Sequence, residues 1–125
     1  MTMLKNSKFF YGYASVFNNI DLNGDIILEN SFKWNKNSDI PLLLEHNPKK
    51  KIGTILNIFQ NKKGLFVEGI ILKEYSSDEL KLSIGYSLND NFTRQDGIRI
   101  LSDLTLFEIS LVKKPANKMA RALCI

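Results

Sequence analysis

The chain has 125 residues, a formal charge of +4, one cysteine and one histidine. Its length supports a hydrophobic core without disulfides, and 44% hydrophobic with 24% charged residues is a globular composition rather than that of a disordered tail. These counts exclude an intrachain disulfide, a CxxC metal site and a structural zinc site, and no apolar run approaches the ~20 residues of a membrane span. Met1 to Phe10 has lysines but no apolar segment behind them, so no secretory signal is expected and the chain reads as soluble and cytosolic. The densest charge cluster, Lys49-Lys50-Lys51, reads as a solvated turn between strands, and charge alone argues little for nucleic-acid binding.

Lys8 to Asn18 is rich in aromatic and β-branched residues and predicts a strand, with Gly12 marking a bulge or a close backbone approach. Asn18-Asn19 and Asp21 to Asp25 are turn chemistry. The Asp21, Asn23, Asp25 spacing has the start of a calcium loop, but the loop glycine would fall on Ile26 and the closing acid on Phe32, so calcium is not expected. Asn30 or Ser31 reads as the cap of a short helix carrying Phe32 and Trp34 inward. Pro41 to Leu44 predicts a buried strand running out into a loop at Glu45-His46. Ile52 to Gln60 and Leu65 to Leu72 predict a strand pair joined at Asn61-Lys62-Lys63-Gly64, with the glycine supplying positive φ.

Lys73 to Lys81, with Ser76-Ser77-Asp78-Glu79 inside it, suggests one or two helical turns. Ser83 to Leu88 is strand-like, Asn89-Asp90-Asn91 turns, and Asp96-Gly97 is a hairpin signal. Ile98 to Leu101 and Leu104 to Val112 complete the strands; Pro115-Ala116-Asn117 stops the last, and Met119 to Ile125 reads as a frayed terminal turn. The expected architecture is mainly β, a β-rich α+β fold: a single domain over residues 1–125, barrel or sandwich, with six or seven strands and one or two small helices.

His46 is the side chain suited to acid–base chemistry near neutral pH without a perturbed pKa. Ser83 and Glu108 are the candidates for nucleophile and orienting group. Strand alternation puts Ser83, Gly85 and Ser87 opposite the apolar Leu82, Ile84 and Tyr86, and Gly85 leaves room for a peptide or an imidazole beside Ser83. Without a base in reach, Ser83 is an ordinary serine on a solvent face. Alternation also gives the last strand one apolar face of Phe107, Ile109 and Leu111. Glu108 and Ser110 share the other face with Leu106 and Val112, and a carboxylate there needs a partner. An imidazole N–H would serve, as would a lysine on an edge strand. Glu45 and Asp103 are rival acids, though Glu45 adjoins His46 and strand neighbours point apart.

Taken in order, these segments resemble the prohead (capsid-maturation) serine proteases of tailed bacteriophages. The resemblance lies in Gly12-Tyr13-Ala14-Ser15-Val16-Phe17 with Asp21, Gly24-Asp25 and Asn30-Ser31-Phe32, and in Pro41 to Pro48 followed by Ile52-Gly53. It continues through Gly64 to Gly69, Leu82-Ser83-Ile84-Gly85-Tyr86, and Leu106 to Val112 with Pro115-Ala116-Asn117 and Ala120. It implies a β-barrel like the herpesvirus assemblin proteases. It also implies peptide-bond hydrolysis in scaffold and major capsid protein segments inside the prohead, in the cytoplasm of the bacterial host. On this resemblance Ser83 is the nucleophile and His46 the general base, with no cofactor or metal. Assemblin-like enzymes can use a second histidine as third member; this chain has none, so Glu108 takes that place by motif position and face. Lys73 to Lys81 is shorter than the helical stretch usual in the family, which would shorten the substrate groove or trim an oligomer contact.

Two other accounts compete with the protease. One is a scaffold or assembly module of the same fold with a decayed site, against which the joint presence of His46 and Ser83 argues. The other is a small basic barrel that stacks single-stranded nucleic acid on Phe9, Phe10, Tyr11 and Tyr13; alternation would send at least half of those aromatics into the core. The sequence is compatible with a homo-oligomer and offers no signal for one.

Overall fold

The computed structural model describes residues 6–89 and 92–125. Eleven strands are present among them: β1 (Ser7–Val16), β2 (Asp25–Ile27), β3 (Phe32–Lys33), β4 (Ile40–Leu44), β5 (Asn47–Gln60), β6 (Gly64–Leu72), β7 (Glu79–Leu88), β8 (Thr93–Gln95), β9 (Ile98–Leu101), β10 (Leu104–Leu111) and β11 (Arg121–Cys124). Seven of them close a barrel in the order β10-β4-β5-β6-β1-β11-β7, with β7 returning to β10. The ring is mixed, since β10 runs parallel to β4 while its other pairings are antiparallel. β3 adds a short parallel extension beside the start of β10, and β2-β9-β8 form a separate small sheet.

Alternation in these strands fills the barrel. Phe10, Leu42, Leu65, Val67, Ile71, Leu80, Leu82, Leu104 and Ile109 are each at most 1% exposed and form one apolar cluster. In β1, Phe10 is buried while Phe9 and Tyr11 are exposed and Tyr13 is half-buried. The expectation that at least half of the four aromatics enter the core fails, because Phe9, Tyr11 and Tyr13 share the odd-numbered face and Phe10 alone of the four is buried. Tyr11, Tyr13 and Phe59 all gather on Phe66 there. A bulge at Ala14 then breaks the β1–β6 register, and Ala14, Ser15 and Val16 are buried in succession.

Four local expectations are corrected. The Asn30–Trp34 segment is not a helix: Phe32 and Lys33 pair with Leu104 and Thr105, and Gln60 clamps Phe32 by accepting from its N–H and donating to its carbonyl. Ser31 donates to the Leu28 carbonyl rather than capping a turn. Lys73 to Lys81 contains one 3-10 turn, Lys73–Tyr75, before β7 begins. The C-terminal segment is β11, wedged between β1 and β7; Gly12 makes this possible, because a Cβ there would sit 2.2 Å from the Arg121 carbonyl oxygen. Gly64 likewise serves a close approach, a Cβ there falling 2.1 Å from the Ser15 carbonyl oxygen, and its φ is not positive.

The Asp96-Gly97 hairpin is present with φ of 53° and 82°, and Lys49 to Lys51 occupy exposed positions within β5 rather than a turn. In the expected turn at Asn89-Asp90-Asn91, Asp90 and Asn91 fall outside the described residues. Among the described residues no helix is long and apolar enough to cross a membrane.

Candidate active site

β4 and β5 are joined through Glu45 and His46, whose φ angles of 49° and 60° are the paired positive values of a two-residue hairpin turn. Neither residue is glycine, and such backbone costs about 1–3 kcal/mol per residue unless its surroundings hold it. Three hydrogen bonds do so. The Glu45 N–H donates to the Leu111 carbonyl at 3.0 Å, Glu45 Oε2 accepts from the Lys113 N–H at 2.8 Å, and the His46 N–H donates to Ser110 Oγ at 3.0 Å. The imidazole therefore projects from a clamped corner over β10, and its side chain is 43% exposed.

Glu108 reaches the same place by a bulge in β10. The β10–β7 register slips between Leu106 and Glu108, which leaves Phe107 54% exposed and turns Glu108 into a buried position. This corrects the simple alternation that placed Phe107 with Ile109 on the apolar face. The space for the carboxylate comes from the neighbouring strand: a Cβ on Gly85 would lie 2.4 Å from Glu108 Oε1 and 2.6 Å from its Cγ. Gly85 thus accommodates the acid rather than the imidazole or a peptide.

The contacts run in series. His46 Nδ1 lies 2.5 Å from Glu108 Oε1, and His46 Nε2 lies 3.1 Å from Ser83 Oγ. Ser110 Oγ donates to Glu108 Oε2 at 2.8 Å, so both carboxylate oxygens are engaged and the partner that Glu108 required is the imidazole rather than a lysine. A buried carboxylate facing Nδ1 selects the tautomer protonated there, which leaves the lone pair of Nε2 directed at the Ser83 hydroxyl. Ser83, His46 and Glu108, picked out separately along the chain, are thereby brought together. Ser110 joins them by bonding both the His46 backbone and the Glu108 carboxylate; its i, i+2 spacing from Glu108 was the available signal.

The rival acids are engaged elsewhere. Glu45 holds the Lys113 amide, and Asp103 pairs with Lys33 at 3.1 Å. Arg94 lies over the Phe92 ring, and Arg99 forms a two-pronged ion pair with fully buried Asp25, both contacts at 2.7 Å. That bond to Asp25 raises the guanidinium pKa above its ordinary value. No group of His, Cys, Asp and Glu suited to a metal ion occurs among the described residues.

A cleft of about 300 Å³ opens beside Ser83 and His46, with Asp21, Asp25, Tyr86 and Ser15 among its walls. Burial raises the Asp21 pKa above its ordinary 3.8, against the lowering effect of backbone N–H bonds from Asp25 and Asn23. Burial, then the charges of Asp25 and Asp21, raises the Tyr86 hydroxyl above its ordinary value. Sequence reasoning set Asp21 and Asp25 aside as turn residues; it had no signal that the fold brings them to the cleft that Ser83 lines.

Comparison with known proteins accords with this geometry. Residues 2–124 match the family described as Caudovirus prohead serine protease. The prohead protease of Enterobacteria phage HK97 is 34% identical over 128 residues, an alignment that covers 89% of this chain and 57% of that protein. Among solved structures, KSHV protease in complex with a hexapeptide phosphonate inhibitor superposes with a TM-score of 0.59 at 15% identity, covering 95% of this chain and 65% of that one. Varicella-zoster virus protease gives 0.56 at 11% identity, with the same coverages. The barrel fold is thus shared with herpesvirus proteases, while the chain spans under two-thirds of the length of each of these relatives. Strand order, a histidine–serine–acid cluster and the match along almost its whole length lead to one assignment: the chain belongs to the Caudovirus prohead serine protease family.

Proposed function

We propose that this protein is a serine endopeptidase of prohead maturation, cleaving scaffold and major capsid protein segments inside the assembling shell within the bacterial host. The observation that carries the reading is the continuous contact from Ser83 Oγ through His46 to the buried Glu108. In the reaction, Ser83 Oγ attacks the scissile carbonyl carbon as its proton passes to His46 Nε2. The imidazolium so formed carries its charge against the Glu108 carboxylate, which keeps the ring oriented. His46 then gives that proton to the departing amine as the C–N bond breaks, leaving an ester on Ser83. A water molecule, deprotonated by the same nitrogen, hydrolyses the ester and restores the hydroxyl. Ser110 supports the cycle by holding the Glu108 rotamer and the turn that bears His46.

The chemistry needs neither a metal nor an organic cofactor. The test is labelling by a fluorophosphonate, which reacts with an activated serine. Label on Ser83 in the intact protein, absent from Ser83→Ala and strongly reduced in His46→Ala, supports the reading; equal labelling of His46→Ala overturns it. Co-expression with the matching capsid protein, whose mass is compared between intact protein and Ser83→Ala, identifies the substrate.

A further inference from the structure

The cleft beside Ser83 carries a carboxylate that the catalytic series leaves unused. Asp21 Oδ1 accepts the N–H groups of Asn23 at 2.8 Å and Asp25 at 3.0 Å, while Oδ2 has no partner among the described residues. Asp25, which also lines the cleft, is paired with Arg99, whereas Asp21 makes no ion pair among the described residues. A second observation comes from Ser15. Ser15, 1% exposed, lines the cleft, and its Oγ is a buried side-chain polar atom with no hydrogen-bond partner among the described residues. Native proteins seldom leave such an atom unpaired. The remaining titratable groups are Tyr86, neutral at physiological pH, the His46 ring, and Lys114, which is exposed and makes no ion pair among the described residues. Solvent screens an exposed ammonium far more than a partly buried carboxylate, so the interior of the cleft is negative.

We infer that this cleft is the specificity pocket and takes a cationic side chain, lysine or arginine, flanking the scissile bond, with Asp21 and Ser15 Oγ as its recognition groups. The inference rests on the protease reading for its use, but the pocket can be tested apart from hydrolysis. An N–H group of the incoming cation would bond Asp21 Oδ2 and another Ser15 Oγ, completing both without displacing the backbone bonds to Oδ1. The raised Asp21 pKa accords with this, since a partly desolvated carboxylate gains most from a cation brought to it. Glutamate or aspartate at the same substrate position would be repelled.

Two measurements test it. The first is digestion of a mixed peptide library, with cut sites read by mass spectrometry. Lysine or arginine enriched beside the cut, with the basic-over-leucine ratio of kcat/KM falling at least about tenfold in Asp21→Asn, supports the pocket. Cuts without that enrichment overturn it. The second is titration of Ser83→Ala with a blocked tripeptide carrying lysine, and with the same peptide carrying norleucine. The lysine peptide should bind at least about tenfold tighter, and the advantage should vanish in Ser83→Ala/Asp21→Asn. Equal binding rejects the pocket, whereas a lysine preference together with no cleavage anywhere rejects the protease reading and keeps the pocket. Asp21→Asn retains Oδ1 for the two backbone bonds, so the loop should fold. Ser15→Ala provides an independent signature. It should narrow the preference for the lysine peptide yet raise Tm by about 4 °C, because an unpaired buried hydroxyl is removed.

Discussion

At His46 the outcome depends on which atom holds which proton. Glu108 faces Nδ1 and Ser83 faces Nε2, so an amide in place of the carboxylate could present its NH2 group to the ring and reverse the tautomer. Glu108→Gln is therefore expected to lower kcat by about 10²–10⁴-fold with KM little changed, and His46→Ala by at least as much, measured on a peptide cleaved by the intact protein. Gly85 makes a separate prediction. The methyl group of Gly85→Ala would overlap the Glu108 side chain, so the acid must move while Ser83 and His46 keep their own backbone supports. Activity should drop by about 10²-fold or more, the loss expected when the group that orients the general base is misplaced, and retained far-ultraviolet circular dichroism would show that the barrel survives. Full activity in Gly85→Ala would remove Glu108 from the mechanism.

Strands and turns are the scale at which the site is assembled. The clamped β4–β5 corner, the bulge at Phe107 and the seating of β11 against Gly12 each displace a segment from its local preference. Gly12→Ala would push a methyl group into the Arg121 and Ala122 backbone, and a stability loss of about 1–3 kcal/mol is expected by urea denaturation. In the small sheet, β2 and β9 run parallel and carry Asp25 and Arg99 side by side. Arg99→Leu leaves a fully buried carboxylate without its cation, and a loss of about 3–5 kcal/mol is expected in the same assay.

For the molecule as a whole, Asp21 couples the cleft to stability. Its folded-state pKa is raised, so the native protein holds that proton more tightly than the unfolded chain does. Stability from this group is therefore lost as pH rises from its ordinary value through the folded one, and the penalty is complete above that. Asp21→Asn removes the penalty: the variant should exceed the intact protein in stability at about pH 7, with the gap narrowing toward about pH 4 as Asp21 takes up its proton. Denaturation midpoints at the two pH values measure this directly.

Most strands were legible because alternation and turn chemistry are local. Ser7–Val16, Ile40–Leu44, the β5–β6 pair and the Asp96-Gly97 hairpin follow from short windows of residues. His46, Ser83 and Glu108 were legible for a different reason: one imidazole, a serine beside a glycine and an acid among aliphatics each break a local pattern, and a family resemblance set them in order. What the windows could not hold was contact between distant segments. Phe32 joins a sheet because Gln60 and Leu104 meet it there. Residues 121–124 form a strand because β1 and β7 leave a gap of that width, and Asp21 lines the same cleft as the serine, in a loop tied to the Ala116 carbonyl through the Leu22 N–H. Residue order determined which side chains could do chemistry, since chemistry belongs to atom types. Tertiary structure decided which of them meet, since a hydrogen bond or a buried charge is a relation between two places that alternation within one strand does not encode.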